Sequence, residues 1–194
     1  PWTLAYHVFG VEPFLLGTVD DPAETMKSLR KLMEFTILFG EAQIEAGADV
    51  LTVPDHATGD LVSGEYYRRF LLEIHQELVE ILPVPLILHI CGNTVDRMPY
   101  IAQTGMAAFH FDSKNDPQDA MEAVDGGIKL VGNINNPTTL YSRGPEEVRK
   151  EVYKALDAGV QLIAPECAIP LKTKLENLLE IPIAIEDWTA ERNN

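Results

Sequence analysis

Regular alternation of short apolar runs with helical segments predicts an α/β fold with a parallel sheet. A second observation agrees with it: each apolar run gives way to polar residues at its carboxyl end, where parallel α/β folds build their sites. The first helix is expected from about Ala23 to Ala46, because Asp20-Asp21-Pro22 supplies an acidic start with proline in the first turn and Gly47 stops it. Val50-Leu51-Thr52-Val53 then reads as a strand, followed by a helix from Ser63 to Leu82. Within that helix Tyr66, Tyr67, Phe70, Leu71 and Ile74 form an apolar face for packing rather than an aromatic binding box. Next come the strand carrying His89 and a shorter helix from Thr94 to Thr104. The unit repeats with strand Ala107 to Phe111, helix Pro117 to Val124 and strand Ile128 to Ile134, with Gly126-Gly127 as the turn before that strand. Helix Pro145 to Ala158 and strand Leu162 to Pro165 complete the pattern, and Thr3-Leu4-Ala5 is read as the tail of a sixth strand.

Five or six such units suit a (β/α)8 TIM-type barrel present only in part, since a whole one usually takes about 250 residues. The 194 residues, starting at Pro1, are therefore expected to form a single domain (1–194) that is the carboxyl-terminal portion of a longer barrel. A sheet of this kind would leave two edges for other chain to cover.

Composition narrows the function classes. The chain is 46% hydrophobic and 23% charged, without an apolar run near the roughly 20 residues of a membrane span, so a soluble, cytoplasmic protein is expected. A net charge of −15 argues against nucleic acid, whose phosphates need a basic face. Two Cys are too few for a disulfide framework, and a cytosolic pair suits metal binding or catalysis.

Those two Cys stand at strand ends. In Leu88-His89-Ile90-Cys91-Gly92 the period-two alternation of a strand points His89 and Cys91 the same way, and Ala164-Pro165-Glu166-Cys167 can bring Cys167 to them. Two thiolates and an imidazole are zinc ligands, and three of them with an open fourth position is the catalytic pattern. The other reading is that each Cys is a small buried apolar residue. Further polar residues at strand ends are Asp55 and His56, Asp112, Asn133 and Asn135, and Glu166. His7, His75 and His110 have no metal partner at useful spacing.

Pro1-Trp2-Thr3-Leu4-Ala5, Glu45-Ala46-Gly47-Ala48-Asp49, Leu88 to Gly92, Leu130-Val131-Gly132-Asn133 and Ala164 to Pro170 resemble the uroporphyrinogen decarboxylase superfamily, and within it the methylcobamide:coenzyme M methyltransferase branch. The resemblance implies that His89, Cys91 and Cys167 bind Zn2+ and that the substrate is coenzyme M. Its thiolate would take the methyl group of a methylcobalamin-type corrinoid carried by a corrinoid protein, in methanogenesis. It further makes Asp112 a candidate fourth ligand or a partner for His89, although Ser113 stands where the family often has an acid. Glu166 is a candidate catalytic residue beside Cys167, or a loop acid facing solvent. Asp55 and His56 are candidates to face substrate or corrinoid, and Asn133 and Asn135 to line the pocket, with turn formation before Pro137 as the other role. Lys114 and Lys172 are candidates for the sulfonate. Alternatives within the resemblance are a methyltransferase with another acceptor such as tetrahydrofolate, a tetrapyrrole decarboxylase, or a zinc-binding fragment that does not turn over.

Overall fold

The computed structural model describes residues 1–192. Five parallel strands lie in one sheet in sequence order: β1 (Leu51–Pro54), β2 (Leu86–Ile90), β3 (Ala108–Phe111), β4 (Lys129–Ile134) and β5 (Leu162–Pro165). Helical crossovers between consecutive parallel neighbours make this an arc of a (β/α)8 barrel.

The helices are α1 (Trp2–Phe9), α2 (Val11–Asp20), α3 (Pro22–Glu45), α4 (Gly64–Phe70), α5 (Leu72–Ile81), α6 (Met98–Ile101), α7 (Pro117–Val124), α8 (Pro145–Ala158) and α9 (Leu175–Arg192). Local chemistry explains the well-anticipated ones. Asp21 accepts the Glu24 N–H ahead of α3 and Asp116 accepts the Gln118 N–H ahead of α7, with proline in the first turn of each. Gly159, left-handed at φ 96°, closes α8.

Strand pairing gives the sheet two unlike faces. Leu88 pairs with Phe109 and Ile90 with Phe111, and all four are buried in the main apolar cluster with Tyr67, Phe70, Leu71 and Ile74. The alternate positions Pro54, His89, His110, Val131 and Leu162 form a single row across the other face. A second cluster, Ile134, Leu140, Val148, Val152, Ile181 and Ala184, joins β4 and α8 to α9.

Several expectations are corrected. Thr3-Leu4-Ala5 is helical, in α1, because Trp2 and Ala5 are buried one turn apart while Leu4 faces outward; there are five strands among the described residues. The expected helix from Ser63 to Leu82 breaks at Leu71, whose φ of −120° leaves the helical range. The Thr94 to Thr104 helix is a 3₁₀ turn over Val95–Arg97 followed by the single turn α6. No helix of the described residues is long and apolar enough to cross a membrane.

Candidate metal centre

His89 stands one residue before the end of β2, in the row with Pro54 and His110, and its ring orientation is set from β3. Nδ1 lies 3.2 Å from the His110 carbonyl, which can only accept, so Nδ1 carries the proton and the Nε2 lone pair is free. Nε2 lies 3.1 Å from Cys91 Sγ, and Cys91 Sγ lies 3.2 Å from Cys167 Sγ. The three donor atoms all fall within 4.8 Å of one another, with His89 buried and both Cys half-buried. Burial, then the His110 charge, depresses His89 to about 4, so the ring is neutral near pH 7. Burial, then the adjacent Cys167, pushes the Cys91 thiol up to about 12. The Cys91 thiol, 3.2 Å from Cys167 Sγ and beside a neutral imidazole, gives up its proton near neutral pH only against a cation. The residues therefore fit a metal of zinc type, which takes N and S donors in a tetrahedron and leaves one position open here.

The loops around the three donors are fixed by polar residues expected to be catalytic or substrate-binding. Asp112 does not touch His89; its Oδ2 accepts the Gly92 N–H at 2.8 Å and its Oδ1 the Lys114 N–H at 2.9 Å. His110, on β3, supplies instead the carbonyl that orients His89, and its ring sits 4.5 Å from the His89 ring, while its own Nε2–H donates to the Pro165 carbonyl at 2.7 Å. Glu166 is buried, not facing solvent, and accepts the Ser113 N–H at 2.9 Å and the Asn136 N–H at 2.8 Å. It thus ties the ends of β3 and β4 to the residue before Cys167. Gly92 is required after Cys91: its φ is +81°, and a Cβ there would lie 2.3 Å from Thr58 Oγ1.

The expected substrate residues are redistributed. Asp55 is fully buried, its Oδ1 accepting the Thr3 N–H at 2.7 Å and its Oδ2 bonding His75 Nε2 at 3.1 Å, so it presents nothing to a ligand. Asn133 is buried and donates to the Asn115 carbonyl at 2.9 Å; Asn115 in turn donates to the Gly92 carbonyl. Asn135 takes the turn role, accepting the Thr138 N–H before a π-type turn over Asn136–Leu140. Lys114 is held by Asp60 at 2.9 Å. Lys172 is exposed on the segment after Cys167. His56 is half-buried, its ring edge-on to that of His89 at 6.3 Å. Sequence reading missed the partners of His75 and His110. The β2–β3 register, which sets His89 beside His110, could have revealed the second.

The uroporphyrinogen decarboxylase (URO-D) family model matches residues 1–188. The chain belongs to the uroporphyrinogen decarboxylase family. This member of it is 30% identical over 179 residues to a methylated-thiol–coenzyme M methyltransferase of Methanosarcina mazei, a match covering 92% of this chain and 48% of that protein. It is 33% identical over 183 residues to the methylcobamide:CoM methyltransferase MtbA of the same organism, covering 92% and 53% respectively. A uroporphyrinogen decarboxylase of Edwardsiella ictaluri is 33% identical over 167 residues, covering 78% of this chain and 46% of that protein. Among solved structures, a methyltransferase from Methanosarcina mazei superposes with a TM-score of 0.91 at 28% identity, covering 96% of this chain and 56% of that one. The chain thus spans about half the length of the curated relatives it matches.

Proposed function

We propose that this chain carries the metal-bearing part of a methyltransferase of the methylcobamide:coenzyme M type, moving a methyl group from a methylated corrinoid to the thiol of coenzyme M in methanogenesis. The observation that carries the reading is the convergence of His89 Nε2, Cys91 Sγ and Cys167 Sγ within 4.8 Å, with the imidazole tautomer already set for ligation. Zinc bound there would supply Lewis acidity that holds the substrate sulfur as a thiolate near neutral pH. Two cysteine thiolates and a neutral imidazole balance a dication, so the site keeps that sulfur electron-rich. Asp112 and Glu166 serve by holding the backbone around Cys91 and Cys167, and Asn133 by bracing the β2 loop through Asn115. Lys172 is the remaining candidate for the sulfonate of coenzyme M, since Lys114 is engaged with Asp60.

A decarboxylase of polycarboxylate tetrapyrroles needs cationic groups free for its substrate. Of the arginines here, Arg97 is buried against the Ala57 and Val62 carbonyls, Arg68 pairs with Glu65 and Arg149 with Glu180 and Asp187, while Arg69 lies over the Phe70 ring and Arg143 is exposed ahead of α8.

The test is elemental analysis of protein purified without chelators, beside Cys91→Ala, followed by methyl transfer from methylcobalamin to coenzyme M. About one zinc per chain, lost in the variant, together with activity, supports the reading. A metal-free wild type overturns it.

A further inference from the structure

Beneath the metal ligands lies a chain of polar side chains with no exposed member. Tyr67 Oη bonds His75 Nδ1 at 2.8 Å, His75 Nε2 bonds Asp55 Oδ2 at 3.1 Å, and Asp55 Oδ1 accepts the Thr3 N–H at 2.7 Å; Tyr67, His75 and Asp55 are each 0% exposed. A carboxylate accepts, so Nε2 of His75 carries the proton and Nδ1 receives the tyrosine O–H. The order of donation runs one way, from Tyr67 to Asp55, and the Pro1 nitrogen also lies 3.2 Å from Asp55 Oδ2. None of the three can touch a substrate.

The network ends at the metal ligands. The Asp55 N–H donates to the His89 carbonyl at 3.0 Å, so the residue that His75 grips is bonded to the backbone of the imidazole ligand. Through Thr3 it reaches the neighbouring wall as well: Thr3 Oγ1 accepts the His56 N–H at 2.7 Å, and the His56 ring stands edge-on to His89. Two successive residues of one loop, Asp55 and His56, are thereby set against His89, the first by a backbone bond and the second through Thr3, whose N–H the Asp55 carboxylate holds.

We infer that Tyr67, His75 and Asp55 form a buried positioning relay for the metal centre, with Tyr67 and His75 setting the Asp55 carboxylate and, through it, the backbone of His89 and the placement of His56. A relay of this kind costs desolvation of three polar groups, and that cost is met only if every partner is present. Removal of one member leaves a buried group unpaired and frees the loop to shift. The inference rests on the proposed metal-binding reading for its affinity readout, but not for its structural one.

The test uses three variants of the chain: Tyr67→Phe, which removes only the hydroxyl; His75→Leu, which cuts the relay; and His75→Gln, whose amide can still donate to Asp55. Zinc affinity is measured by competition with a chromophoric chelator, the visible spectrum is recorded with Co2+ in the site, and the melting temperature is taken metal-free. The relay predicts a loss of affinity of about tenfold or more in His75→Leu and Tyr67→Phe, in the range seen when groups behind metal ligands are altered. It also predicts a changed Co2+ spectrum in both, with His75→Gln close to wild type in affinity and spectrum. Lower melting temperatures with unchanged affinity and unchanged spectrum would reduce the three residues to ordinary core packing and overturn the inference. Should wild type bind no metal, the proposed function fails. The relay is then read from imidazole 1H–15N spectra of metal-free protein, where Tyr67→Phe must shift the His56 and His89 signals, and unshifted signals would overturn it.

Discussion

Replacing Glu166 by Ala should cost stability as well as metal affinity, because the structure makes this residue an anchor for two backbone N–H groups. Both bonds, 2.9 Å from Ser113 and 2.8 Å from Asn136, end on a carboxylate that is 6% exposed. A hydrogen bond to a charged group contributes roughly 1.5–3 kcal/mol, and truncation leaves both donors without their acceptor, giving an upper figure of about 6 kcal/mol. Ser113 is half-buried, so water can reach one of the donors, and we take about 3 kcal/mol as the expected loss. For a chain of this size that is a fall of about 6–12 °C in melting temperature. Glu166→Gln keeps an oxygen for one of the donors and should fall between wild type and Ala. The assay is thermal unfolding followed by circular dichroism on metal-free protein, with zinc competition run in parallel. If Glu166→Ala melted within about 2 °C of wild type, the carboxylate would not be holding these loops, and a role in the reaction itself would return to consideration.

Zinc affinity should rise with pH between 6 and 9 by at least one decade per pH unit, since the Cys91 thiol, held at about 12 by burial, must give up its proton to bind. His89, at about 4, is already neutral over that range and adds nothing to the slope; calorimetry in buffers of different ionisation enthalpy counts the protons, and a flat profile would contradict the assignment. Gly92→Ala meets both a φ of +81° and a contact of 2.3 Å with Thr58 Oγ1, and should lose on the order of 2 kcal/mol in urea unfolding. Metal-free protein treated with diamide should lose two thiols to a Cys91–Cys167 disulfide, the diazene taking up the two protons and two electrons, because the sulfurs sit 3.2 Å apart. Thiol titration and intact mass would follow it, and bound zinc should protect.

The sequence declared its architecture best where a backbone signal was unambiguous. The bounds expected for α7, α8 and β5 are those observed, since proline opens both helices and Gly159 closes the second. It was least informative at Trp2 to Asp20, where apolar residues spaced for a helix face were short enough to pass for a strand end. The convergence of His89, Cys91 and Cys167 was legible because Cys is scarce here and His89 and Cys91 stand where alternation aligns them. The surrounding acids were not legible in the same way. Whether a carboxylate after a strand meets a ligand or a neighbouring N–H depends on which backbone donors the adjacent loop turns inward, and that is fixed only by packing; Asp112 and Glu166 both turned to backbone. The Asp55 contact with His75 was likewise out of reach, because it links the loop after β1 to α5 across 20 residues of chain.

The row from Pro54 through His89, His110 and Val131 to Leu162 has a consequence for how this chain can change. Each position in the row is locked to the next by strand pairing, so the sheet works as a ruler whose unit is two residues. One residue added or removed between Leu86 and His89 would turn the imidazole, and Cys91 with it, into the aliphatic layer beneath the helices and leave Cys167 facing a hydrocarbon side chain. Lengthening a helix or a loop disturbs no such count. Insertions and deletions compatible with metal binding should therefore gather in the crossovers, while β2 can exchange one aliphatic residue for another around His89 but cannot change in length.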